Sequence, residues 1–237
     1  MLKLSFVCLD TETTGLDQSS EIIEIGMVKV IDGQIADRYS QLIKPYNPIP
    51  ENIVQLTGID DDMVEHQPHW CDIEQAVLEF IGDFMLVAHN VSFDKGMLEQ
   101  HLGRILPNQW VDTHDVAKIF LPTLTSYKLI SIAGALEIDS QGFHRALQDA
   151  DSTAQVLLAL SDKACQLNPF LLQKILAIFE KDDCGLVTWL EKIRTEAVAH
   201  AEIGKKYDTA EPAPVYGKRP LLSFHQTKKF FEPDGLM

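Results

Sequence analysis

Two carboxylates separated by a single residue, Asp10 and Glu12, follow an almost wholly apolar run over residues 4–9. In extended backbone, residues two apart project to the same face, so both oxygen donors converge while Thr11 turns away. Oxygen donors suit Mg²⁺ or Mn²⁺, and strand ends in open α/β sheets are common places for such sites. Taken alone, the pair also fits a strand running into the polar turn Thr13-Thr14-Gly15. A third acid, Asp94, stands between a short apolar run at 85–88 and a helical stretch. Alone it also fits a first-turn acid, which the helix dipole stabilises by about 0.3–1 kcal/mol. His89 and Asn90 just before it also fit turn positions. The last element is HRALQD, from His144 to Asp149. Five residues along a helix turn through about 500°, leaving the two side chains about 140° apart and unable to share a face. His144 therefore belongs on the loop before the helix, with Asp149 in the helix's first turns. By itself His144 also reads as a polar helix-entry residue.

The elements that would position these groups follow from hydrophobic pattern. Residues 4–9 read as a strand buried on both faces, and 22–31 with 35–43 flank Asp32-Gly33, a favoured hairpin turn. Ile73, Val77, Phe80 and Phe84 recur at helical spacing, then 85–88 reads as a strand and about 93–102 as a helix. Residues 110–112 are a candidate last strand. Ser126 is the expected N-cap of a helix burying Leu129, Ile132, Ala133 and Leu136, and 146–165 reads as one long helix. A hairpin sheet extended by α/β units is an α/β fold, a mixed β-sheet flanked by helices. Residues 169–179 and 186–199 each form an amphipathic helix, with a break at 182–185. The expected division is therefore a main domain over 1–167, a small helical C-terminal appendage over 168–203 and a basic, flexible, disordered tail over 204–237.

With 46% hydrophobic residues in 237, the chain can bury a core of ordinary size. No apolar run approaches the roughly 18 residues of a membrane span, and the N-terminus lacks the layout of a secretory signal, so a soluble, cytoplasmic protein with no membrane partner is expected. Cys8, Cys71, Cys165 and Cys184 lie far apart without C-x-x-C spacing, which predicts reduced, buried thiols. A net charge of −15 argues against nucleic acid at first sight. Cations recruited by a carboxylate cluster offset that objection by meeting phosphate themselves. Charge also divides unevenly: residues 205–229 hold six basic residues against two acidic ones, leaving −19 on the other 212.

Together, VCLDTETTGL at 7–16, HNVSFD at 89–94 and HRALQDA at 144–150 resemble the DEDDh exonucleases, the family that includes proofreading subunits of bacterial replicative DNA polymerases. IIEIG at 22–26, LTGI at 56–59 and VDT at 111–113 fall where such proteins carry similar segments. The resemblance implies an RNase H-like fold. It makes Asp10, Glu12, Asp94 and Asp149 ligands of two divalent ions, Mg²⁺ or Mn²⁺, with His144 as general base. Four crowded carboxylates repel one another unless cations neutralise them, and a neutral imidazole accepts a proton near pH 7. His144 assigns the histidine branch, since Arg145 occupies the place a tyrosine would need. By the same resemblance Glu12, Thr13, Leu16, Leu56, Thr57, Asn90 and Phe93 meet the terminal nucleotide. Leu56 and Phe93 equally fit ordinary core packing, and Thr57 departs from the family, standing where many proofreading subunits carry histidine.

The expected activity is 3′→5′ exonucleolysis releasing nucleoside 5′-monophosphates from single-stranded or frayed 3′ ends, with DNA preferred, in replication proofreading or repair. Alternatives are RNA trimming or oligoribonucleotide hydrolysis, and a non-catalytic subunit that keeps the fold as an interaction platform. Further expected partners are a DNA polymerase catalytic subunit and, through the tail, a sliding clamp. The tail peptide QTKKFF at 226–231 is similar to clamp-docking peptides except for Lys229 at a usually aliphatic position, which makes phosphate contact by a basic tail the competing reading.

Overall fold

The computed structural model describes residues 3–17, 19–139, 145–179 and 185–207, with backbone alone over 200–207. Three strands open the chain: β1 (Phe6–Thr13), β2 (Ile22–Ile31) and β3 (Gln34–Leu42). Asp32 and Gly33, at φ 51° and 77°, take the left-handed conformation that a tight hairpin turn between twisted strands requires. Three helices follow, α1 (Glu51–Thr57), α2 (Asp61–Val64) and α3 (Trp70–Ile81). Then come β4 (Met85–Ala88), α4 (Val91–Leu102), β5 (Trp110–Asp112), α5 (Thr113–Phe120) and α6 (Leu129–Ala135). Helices α7 (Ala146–Cys165), α8 (Pro169–Phe179) and α9 (Gly185–Tyr207) complete the order.

The sheet runs β3-β2-β1-β4-β5, antiparallel from β3 to β1 and parallel from β1 to β5. This is the mixed sheet that the pattern predicts. Alternation along β1 divides the core: Phe6 and Cys8 face α5 to α9, whereas Val7 and Leu9 face α3 and α4. On the second face Trp70, Ile73, Val77 and Ile81 form the buried stripe of α3. A third cluster, Ile23, Ile49, Ile53, Ile59 and Val64, lies under α1 and α2.

Several boundaries differ from expectation for physical reasons. Strand β1 continues past its apolar run through Asp10 and Glu12, because β2 pairs with it as far as Thr13. Lys128, not Ser126, is the N-cap of α6, and Ser126 Oγ instead accepts from Lys128 N and the Ser131 hydroxyl. Helices α1, α2 and α5 have too few turns to show a clear period in sequence. Cys8 is buried, but Cys71 is exposed beside Trp70, which corrects the expectation of buried thiols throughout.

Helices α8 and α9 share the hydrophobic cluster of α7. Trp189 of α9 is fully buried, donates its indole N–H to Ser161 Oγ of α7 at 3.0 Å, and meets Phe120 edge-on. Gly185 lies so close to the backbone of Trp110 that a Cβ there would overlap it, so the start of α9 can seat on the edge strand β5. The chain divides into the units Met1–Ile203 and Gly204–Met237. Of the expected break at 182–185, Gly185 opens α9 while 182–184 lie outside the described residues, as does the tail peptide at 226–231. Among the described residues, no helix is long and apolar enough to cross a membrane.

Candidate active site

Asp10 and Glu12 project from one face of β1 toward the first turns of α7, where Asp149 lies. One carboxylate oxygen from each of the three falls within 4.8 Å of the others. Such a donor set fits a hard divalent cation, which takes carboxylate oxygens and neutralises their mutual repulsion. Burial, then the charges of Asp94, Asp149, Glu12 and Glu24, pushes the Asp10 carboxyl well above the usual carboxylate range. Glu12 is pushed up to about 7 by burial first, then by Asp149, Glu24 and Asp94, with Arg145 opposing.

Asp94 sits in the first turn of α4, on the far side of β1. It is 3% exposed, and its Oδ1 accepts from both the backbone N–H and the hydroxyl of Thr11, at 2.9 Å each. Burial raises its carboxyl to about 7 although the Thr11 bonds lower it. Asp94 is outside the three-residue group that lies within 4.8 Å, yet its charge acts on both Asp10 and Glu12. Thr11, which faces away from the two β1 acids, thus has a task that sequence alone did not indicate. His144 lies outside the described residues.

The turn that delivers Asp94 is held by Asp112 at the end of β5. Its carboxylate accepts from Asn90 N and Val91 N and also from His114 N, so a single acid ties the starts of α4 and α5. Asn90 takes φ 70°, a left-handed conformation that asparagine tolerates better than most residues. His89 places Nε2 2.9 Å from the Tyr127 carbonyl and Nδ1 2.9 Å from Thr113 Oγ1. A carbonyl only accepts, so Nε2 carries the proton. Burial is the first cause of the lowered pKa of His89.

The remaining expected contacts divide by exposure. Leu16 is 87% exposed, Leu56 is 52% exposed and Asn90 is exposed, so all three are open to a ligand. Phe93 is partly buried against the α3 and α4 core. Thr13 is buried and donates its hydroxyl to the Gly15 carbonyl, which shapes the turn leading to Leu16. Thr57 is 6% exposed, with its hydroxyl donating to Ile53 O and accepting from Ile59 N. That side chain serves the end of α1 and is turned away from solvent.

Two residues beside the cluster escaped sequence reasoning as functional candidates. Glu24 of β2 is the cross-strand partner of Glu12 and is 1% exposed. It binds Arg145 through both carboxylate oxygens, at 2.8–3.2 Å, and accepts from Ala146 N at 3.0 Å. An acid inside the apolar run of β2 was the available signal, since a buried charge requires a partner.

A family model described as an exonuclease matches residues 7–157. The DNA polymerase III PolC-type proteins of Thermotoga maritima and Halalkalibacterium halodurans are 43% and 38% identical over 162 and 165 residues. These stretches cover 65% and 66% of this chain but 12% and 11% of those proteins, so the chain spans only a small part of these relatives. A solved structure of Exonuclease X in complex with 5′-overhanging duplex DNA is 31% identical with a TM-score of 0.57, covering 66% of this chain and 91% of that one. The nuclease domain of 3′hExo, a DEDDh family member bound to rAMP, shares the fold at 18% identity and a TM-score of 0.59, over 69% of this chain and 94% of that one. With these matches, the RNase H-like sheet and the acidic group on β1 and α7, the chain belongs to the exonuclease family.

Proposed function

We propose that the chain shortens DNA from its 3′ end, releasing nucleoside 5′-monophosphates, and serves replication proofreading or repair. The observation that carries this reading is the convergence of Asp10, Glu12 and Asp149 within 4.8 Å, beside a buried Asp94 whose charge acts on the same point. The similarity to PolC-type polymerases and to a DNA-bound Exonuclease X supports DNA as the substrate.

Asp10, Glu12, Asp94 and Asp149 would hold two divalent ions, Mg²⁺ or Mn²⁺. When bound, such ions supply an activated water and stabilise charge on the scissile phosphate and leaving oxygen. The chain's own residues do the rest. Thr11 fixes Asp94, α7 presents Asp149, and exposed Leu16, Leu56 and Asn90 offer an apolar and hydrogen-bonding surface to the terminal nucleoside. His144, as general base, takes the proton of the attacking water at an imidazole nitrogen. The partners proposed are frayed or single-stranded 3′ ends, a polymerase catalytic subunit and, through the tail, DNA phosphates or a clamp.

The test is one assay with purified protein on single-stranded DNA, a mismatched primer end and a short RNA of equal length. The mismatched and single-stranded DNA should be degraded fastest. Faster hydrolysis of the RNA would replace proofreading with RNA trimming.

A further inference from the structure

The N-terminus of α7 is capped from another strand. Arg145, its N-cap residue, is extended and makes no cap bond through its own side chain. The bond comes from Glu24, 122 residues earlier in sequence, whose Oε2 accepts from Ala146 N at 3.0 Å. Glu24 Oε1 meanwhile accepts from Arg145 Nη2 at 2.8 Å and Nε at 3.2 Å, and Oε2 accepts from Nε at 3.1 Å. A carboxylate at a helix N-terminus satisfies an otherwise unpaired donor and complements the helix dipole, and the bidentate arginine fixes its plane. Gly26, two residues along β2, lets the helix approach: a Cβ there would overlap the backbone of Ala146 and Leu147. The register of β1 and β2 sets Glu24 opposite Glu12 and Gly26 opposite Asp10, so the contact holding α7 lies directly across from the catalytic acids.

We propose that the ion pair of buried Glu24 with Arg145 is a positioning device for the reaction, fixing where α7 begins relative to β1 and thereby where Asp149, one turn in, meets Asp10 and Glu12. Neither residue touches substrate in this account. They act through Asp149, and the proposal rests on the exonuclease reading above.

The test compares R145Q, E24Q and the double variant E24Q/R145Q with wild type in the full chain. Each is measured for thermal unfolding, for kcat and KM on single-stranded DNA, and for Mn²⁺ affinity by calorimetry. Loss of a partner that orients a metal ligand costs about 10–100-fold. The expected result is a kcat lowered 10–100-fold with KM unchanged, Mn²⁺ bound 10–100-fold more weakly, and a double variant no worse than the poorer single, as for residues acting as one unit. Arg145 is partly exposed, and the double variant leaves no unpaired buried charge, so a folded protein is available even if E24Q alone unfolds. Folded variants with wild-type kcat and Mn²⁺ affinity, or a loss confined to KM, would overturn the proposal. Wild type is the control that separates the two readings. If it degrades no DNA the proposed substrate falls, and the pair is then judged on Mn²⁺ affinity alone.

Discussion

Thr11 holds Asp94 across 83 residues of sequence, giving both its backbone N–H and its hydroxyl to one carboxylate oxygen, at 2.9 Å each. The β1 residue between the two strand acids therefore anchors the acid on α4. Thr11→Val keeps the shape and the backbone bond but removes the hydroxyl. Because the Thr11 bonds lower the Asp94 pKa, their partial loss should move it upward from about 7. A lost bond to a charged group should also cost about 1–3 kcal/mol. Carboxyl-carbon NMR of Asp94 and urea unfolding at pH 8, both in EDTA, check the two effects. A titration at or below the wild-type value would show that the hydroxyl does not stabilise the carboxylate.

The crowded acids predict a pH-dependent instability of the metal-free protein. Glu12 moves from 4.5 to about 7 on folding. A carboxyl raised in this way contributes stability that is present below its ordinary pKa and lost as pH rises through the folded value. Between pH 4.5 and 7 the metal-free site should therefore become a liability, and Asp10→Asn should relieve part of it by removing a carboxyl that burial and the neighbouring acids themselves push well above the usual range. In EDTA, the melting temperature of Asp10→Asn minus that of wild type should be larger at pH 8 than at pH 5. Added Mn²⁺ should stabilise wild type more than the variant at pH 8. An equal difference at both pH values would mean that the acids do not burden one another.

Trp189 joins α9 to α7 and α5 through Ser161 and Phe120. Trp189→Ala should cost about 3–5 kcal/mol, the range for emptying a large aromatic site. Urea denaturation measures it. A change below 1 kcal/mol would mean that α8 and α9 contribute little to the stability of the sheet unit.

The tail should act on DNA affinity rather than on chemistry. Removal of residues 208–237 takes away Lys218, Arg219, Lys228 and Lys229. If these meet phosphates, DNA binding should weaken and its dependence on salt should become shallower, because fewer counterions are released. If instead the peptide docks on a clamp, Phe230→Ala with Phe231→Ala should abolish clamp binding and leave DNA affinity and its salt dependence unchanged. Filter binding across a salt series and clamp pull-down separate the two, and truncation without effect on either would reject both roles.

Long, strongly patterned elements were legible in the sequence. The hairpin around Asp32-Gly33 and the helix Ala146–Cys165 stand where the turn residues and the apolar period place them. Helix α1 escaped because seven residues after Pro50 carry too little periodicity, although Gly58 marks its end in the left-handed conformation. The end of β1 lies beyond its apolar run because backbone pairing with β2, which hydrophobic pattern does not report, carries the strand on through Asp10 and Glu12. At the site, residue type and spacing pointed to the acids, but not to the links that hold them. The Thr11–Asp94 contact and the Glu24–Arg145 pair join residues 83 and 121 positions apart, a separation that no local pattern encodes. Gly26 within a strand was itself a readable sign of close backbone approach, with its partner in α7 supplied only by the fold.

The central claim is that the acids on β1, α4 and α7 carry out 3′→5′ hydrolysis. The direct measurement is product analysis of a 5′-labelled single-stranded DNA incubated with Mn²⁺ and wild type, Asp10→Asn or His144→Ala. Wild type should yield a ladder shortened from the 3′ end together with nucleoside 5′-monophosphates. Asp10→Asn should yield neither, and His144→Ala should retain Mn²⁺ binding while turning over about 10²–10⁴-fold more slowly, the range for a lost general base. Wild-type turnover by Asp10→Asn in a preparation free of other nucleases, or release of label from the 5′ end, would contradict the account.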